Sequence, residues 1–235
     1  METGVGVSAN SGFKAIASPW HLLFILAIEV ASVIRGLLMS NQLRTAAQAD
    51  RLTIYHRTIA FQWIVFALVL AGLWLRGTPV YTVLGERWKS IRQFFTDLGI
   101  GLLFLVGSIV LQSIFTSHAQ EQAGKQATHF LLPQTGVEIG WWILLSLTAG
   151  ICEEALYRGY LQQQFTAFTK SVPAGILLSG ILFGAAHSYQ NPRQAVIIGI
   201  MGVVGGVVAY WRKSTRPGMI AHTLQDVIGG LAQHG

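Results

Sequence analysis

Six ionisable side chains in the C-terminal third of this chain fall into three short patterns: Glu153-Glu154-x-x-x-Arg158, Phe183-x-x-x-His187 and His222-x-x-x-Asp226. Carboxylates and imidazoles exchange protons with water near neutral pH and also ligate metals, so the chemistry they suit is hydrolysis. Each pattern lies in an apolar stretch, where ionisable groups are expensive and therefore functional candidates by default.

Spacing separates their duties. Adjacent helical positions point about 100° apart, so Glu153 and Glu154 face different surroundings. Arg158 follows Glu154 by four residues, on the same face and in the favoured order for an ion pair. That pairing occupies Glu154 and leaves Glu153 without a local partner, suited to take a proton from water. The competing reading is a Glu–Arg pair that only locks helices together. His187 ends an apolar run and precedes Ser188, Tyr189, Gln190 and Asn191; alone, it reads as an interfacial or capping residue more readily than as a catalyst. Phe183, one turn earlier, would wall the same site. His222 and Asp226 share a helix face. Asp226 is placed to orient the imidazole, to polarise a carbonyl when protonated, or to ligate a metal. Glu153, His187, His222 and Asp226 are suitable ligands for a divalent metal such as zinc. No H-E-x-x-H helix is present and the ligands lie on three helices, so a metal site and a site without a cofactor both stand open. Cys152, the lone cysteine, reads as a small buried filler.

The elements that must carry these residues are membrane helices. Of 235 residues, 52% are hydrophobic and 11% charged, where a soluble domain carries about 25% charged. Apolar runs at about 20–40, 58–76, 97–116, 139–164, 171–190, 194–211 and 217–233 predict an all-α polytopic bundle of about seven transmembrane helices. The six prolines fall in loops or first turns of that scheme. The first run is expected to be an uncleaved anchor. Residues 117–138, with His118 and His129, read as a loop on the far side. Gly202-x-x-x-Gly206 permits close helix packing. Glu29 and Arg35 in the first span are expected to pair with other helices.

The net charge of +6 follows topology. Lys14, Arg76, Arg87, Lys89, Arg92, Lys170, Arg212, Lys213 and Arg216 share the side of the N-terminus. Arg44, Arg51, Arg57, Lys125 and Arg193 lie opposite, so the N-terminus is expected in the cytoplasm. No basic cluster marks a nucleic-acid surface, and the expected partner is the lipid bilayer, in a bacterial inner membrane. No inverted repeat suggests a transporter.

Taken together, the three motifs resemble those of the CPBP family of intramembrane peptidases (CAAX-processing proteases and bacteriocin-processing or Abi proteins). The resemblance covers about residues 139–233. It divides the chain into N-terminal membrane helices, 1–138, of no assigned role and a catalytic core, 139–235. It implies an intramembrane endopeptidase cutting a peptide bond near the membrane surface, with Glu153 activating water and His187 and His222 assisting. Family members often carry Asn, an oxyanion-stabilising group, where this chain has Asp226; an ionised Asp would repel an oxyanion. The implied substrate is a peptide or protein, prenylated or a membrane peptide. The alternative is a non-enzymatic scaffold or bacteriocin-immunity protein that keeps the polar network. One expectation sits awkwardly: counted along these spans, His187 lies nearer the opposite membrane edge than Glu153 and His222. A partly re-entrant segment after His187 would reconcile them.

Overall fold

The computed structural model describes residues 13–45, 50–115 and 129–232; His118 and most of the expected far-side loop lie outside them. Among the described residues every regular element is helical. In order they are α1 (Pro19–Thr45), α2 (Arg51–Leu75), the single turn α3 (Tyr81–Leu84), α4 (Ile91–Phe115) and α5 (Gly136–Glu154). A π-helical stretch, Ala155–Leu161, runs on into α6 (Gln162–Thr169), and α7 (Val172–Ala186), α8 (Pro192–Arg212) and α9 (Arg216–Leu231) follow.

Local chemistry sets many of the starts. The Asp50, Ser171 and Asn191 side chains each accept from a backbone N–H in the first turn of α2, α7 and α8, satisfying donors that have no helical partner. Thr135 and Glu138 close a reciprocal capping box on α5. Proline occupies the first turn of α7, α8 and α9, where its missing N–H is not needed.

The bundle is polytopic, but its spans differ from the expected seven. Among the described residues five helical runs are long and apolar enough to cross a membrane, the longest being the continuous 34 residues from Gly136 to Thr169. The expected fifth and seventh spans are short helices of 15 and 16 residues. Leu103, Ile114, Ile181 and Val196 point outward and are more than 60% exposed, as lipid-facing side chains are.

Side-chain contacts fix two ends of the bundle. At one, Lys170 reaches the Phe13 carbonyl, Arg212 pairs with Asp97, and Arg216 reaches the carbonyls of Gly85 and Glu86. At the other, Arg51 reaches the His129 carbonyl and Arg193 that of Phe115. The core joins both halves of the chain: Ile25, Val69 and Leu73 of α1 and α2 pack with Tyr160, Leu161 and Phe183. Gln164, fully buried, accepts from the N–H groups of Ile16 and Ala17 and donates to the Ala17 carbonyl.

The two helices of the α7–α8 hairpin approach closely. A Cβ on Gly184 would stand 2.9 Å from the Gly199 Cα, and one on Gly202 3.1 Å from the Gly180 Cα. Backbone meets backbone here, as only glycine permits. Residues 187–190 are tight turns, with His187 N–H on the Gly184 carbonyl and Gln190 N–H on that of His187. The segment after His187 is thus a compact reversal between α7 and α8.

Candidate active site

The three motifs converge at one depth. Glu153 stands 16 residues before Thr169, about 24 Å along the helix. His187 follows the start of α7 at Val172 by 15 residues, about 22 Å from the same end. α9 begins deeper, because Thr215 donates to the Val83 carbonyl and Val83 of α3 abuts Gly159. Counting up from Gly159, His222 reaches about 25 Å as well. The mismatch expected from the sequence came from treating α7 and α9 as full spans starting at one surface.

Glu153 and Glu154 diverge as helical geometry demands. Glu154 is fully buried, 3.1 Å from Arg158 Nη1, with its Oε1 also 3.4 Å from His222 Nδ1. Gly218 makes room for it: a Cβ there would stand 3.0 Å from the Glu154 carboxyl carbon. The Arg158 guanidinium lies over the Phe183 ring at 4.0 Å, a cation–π contact that holds its plane. Phe183 also packs on Tyr157, His187 and His222 at centroid distances of 5.0, 4.7 and 5.8 Å. It is the wall the sequence suggested.

Glu153 turns toward α2, α7 and α9. Its Oε1 accepts from Gln62 Nε2 at 2.7 Å. Its Oε2 has no direct hydrogen bond and lies 4.0 Å from His187 Nε2 and 3.9 Å from His222 Nε2. Those gaps are too long for a direct bond and suit a single intervening water. His187 Nδ1 lies 2.8 Å from the Phe183 carbonyl. A carbonyl can only accept, so Nδ1 carries the proton and Nε2 is the nitrogen presented to Glu153. Asp226 Oδ2 lies 3.5 Å from His222 Nε2, and its backbone carbonyl accepts from Trp142 Nε1. All six expected residues therefore gather in one cluster.

Two neighbours had no sequence signal. Gln62 on α2 is an ordinary glutamine 91 residues from Glu153. Tyr157, one residue before Arg158, donates its hydroxyl to the buried Glu29 of α1 at 2.6 Å. Glu29 thus has the interhelical partner expected of it, whereas Arg35 faces outward, exposed. The π-helical stretch was also missed; such bulges frequent functional sites. Cys152 is buried.

The fit to a metal is poor in this arrangement. Bonds of about 2.0–2.1 Å place tetrahedral donors roughly 3.3 Å apart, and the gaps from Glu153 Oε2 to the two imidazoles are 3.9 and 4.0 Å. Among the described residues no group of three or more His, Cys, Asp or Glu side chains is gathered to hold a metal ion.

No curated protein and no solved structure matches the chain. Residues 135–228 match the family model described as Type II CAAX prenyl endopeptidase Rce1-like. That stretch holds all three motifs, and on this match the C-terminal part of the chain is consistent with the CPBP family of intramembrane peptidases, of the CAAX-protease type.

Proposed function

We propose that this protein is a glutamate-type intramembrane endopeptidase with Glu153 as general base. The observation that carries the reading is the free Oε2 of Glu153, aimed between two imidazole Nε2 atoms at 3.9 and 4.0 Å. A water bridging these atoms is oriented by three groups and can lose a proton to the carboxylate. Its oxygen attacks the scissile carbonyl carbon and forms the new C–O bond. His222, held between Glu154 and Asp226, faces the oxyanion that develops. Glu153 then returns the proton to the leaving amine as the C–N bond breaks. Asp226 acts here by orienting His222, a role that avoids the repulsion between a carboxylate and an oxyanion. The donor spacing favours chemistry by side chains alone, so no step is routed through a metal.

The family match supports a C-a-a-X peptide as substrate, prenylated on its cysteine and cut before its last three residues. The five helices long and apolar enough to cross a membrane among the described residues support an integral membrane protein; the excess of basic residues at the Lys170 and Arg216 end supports a cytoplasmic placement of that end.

The test is cleavage of an internally quenched C-a-a-X peptide, farnesylated on cysteine, by the full chain in liposomes. Glu153→Gln is expected to abolish turnover with the protein still inserted and monodisperse. Exhaustive treatment of the wild type with EDTA is expected to leave the rate within about twofold. Turnover by the Glu153→Gln protein would overturn the base assignment. Loss with EDTA and recovery with zinc would replace it with a metal mechanism. A cellular function intact in both Glu153→Gln and His222→Ala would favour the scaffold.

A further inference from the structure

We infer that Gln62, on a helix outside the stretch that matches the family, is the positioning residue that selects which oxygen of Glu153 acts; the inference rests on the reading of Glu153 as base. A carboxylate on a helix can turn about its last bonds, and its two oxygens are chemically equivalent until something distinguishes them. Gln62 Nε2 does so by donating to Oε1 at 2.7 Å. The bond occupies one oxygen from the α2 side and leaves Oε2 facing His187 and His222. The orientation of the amide is fixed by the same contact, because a carboxylate accepts only and would repel the amide oxygen.

A packing role alone does not account for this residue. The Gln62 Oε1 atom is buried without a hydrogen-bond partner. An orphaned buried polar atom is destabilising, a cost that methionine or leucine of similar size would avoid. The half-buried amide is useful for what its N–H group touches, and that is the carboxylate. Serving α2 to the site in this way also gives the N-terminal helices a part in the chemistry. Residues 135–228 supply the base and both imidazoles, while the part of the chain before them fixes the base in register.

The experiment compares wild type, Gln62→Met and Gln62→Asn with the farnesylated peptide in liposomes. Methionine keeps the volume and removes the donor; asparagine keeps the amide and withdraws it by one methylene. Both are expected to lower kcat at least 10-fold with KM within twofold, since neither residue meets the peptide. The carboxylate stretch of Glu153, isolated by infrared difference against Glu153→Gln, is expected to shift in both variants. An unchanged kcat together with an unshifted band in either folded variant would overturn the inference. A fall in kcat matched by a rise in KM and an unshifted band would also overturn it, assigning Gln62 to packing. If Glu153→Gln itself cleaves the peptide, the base assignment fails, and the infrared band still decides the Gln62–Glu153 bond.

Discussion

The Glu154–Arg158 pair is a buried ion pair that would support the proposed site from beside it, without touching the reacting atoms. Both side chains are at most 3% exposed, so each carries a desolvation penalty that the other offsets. Removing one partner leaves an uncompensated buried charge, at about 3–5 kcal/mol. Arg158→Met is therefore expected to lower thermal stability in detergent sharply. Glu154→Gln combined with Arg158→Met should recover a good part of that loss, because the stranded charge is gone. A stability of the single variant equal to wild type would show that Glu154 is satisfied some other way. This pair was legible in the sequence because its four-residue spacing is a local property of a helix. His187, His222 and Asp226 were legible as types, since an ionisable group in an apolar run stands out. Gln62 was not: its meaning comes from a contact across 91 residues, and an uncharged amide in a helix carries no comparable signal.

The α7–α8 hairpin decides where His187 sits. The imidazole is the residue after the last turn of α7, so its place depends on how closely that helix lies on α8. Gly184 meets Gly199 and the Ala195 carbonyl with no room for a side chain. Gly184→Val is expected to part the helices near the turn and carry His187 away from Glu153. A displacement on the order of 1 Å costs roughly 10²-fold in rate, so kcat should fall by about that factor while insertion persists. Ile181→Val, on the exposed face of α7, should stay within twofold of wild type in the same assay. Equal rates for Gly184→Val and wild type would mean that the hairpin does not hold the imidazole. Glycine spacing in α8 announced close packing before any coordinates. What hydropathy hid was length: α7 and α9 are apolar enough to pass as spans, yet α7 stops at the hairpin turn and α9 starts deeper, over α3. Nor could periodicity reveal the π-helical stretch, which differs from an α-helix by a hydrogen-bond register that side-chain patterning does not encode.

At the scale of the whole molecule, the end-to-end contacts make a prediction about sidedness. Lys170, Arg212 and Arg216 are tied to residues near the starts of α1, α4 and the segment before it, so they share one end although the helices between them differ in length. Arg51 and Arg193 are tied to the opposite end. Among the described residues, these contacts put Lys170, Arg212 and Arg216 at one end and Arg51 and Arg193 at the other, as the sequence reading expects for those five. Cys152 is the lone cysteine and is buried, so Cys152→Ala gives a background without thiols. In that background, cysteines placed singly at Lys89 and Lys213, both exposed, are expected to react with an impermeant maleimide from the cytoplasmic side only. One placed at the exposed Gln134 should react only from outside. The reverse pattern would invert the orientation while keeping the fold. Labelling of Lys89 and Lys213 positions from opposite sides would contradict the fold itself, since the Arg216 contacts to Gly85 and Glu86 require both loops to meet. With the candidate site about 22–25 Å along its helices from that end, the cytoplasmic outcome would also set the path under the proposed function: a peptide arriving there would have to reach well into the bundle to meet Glu153.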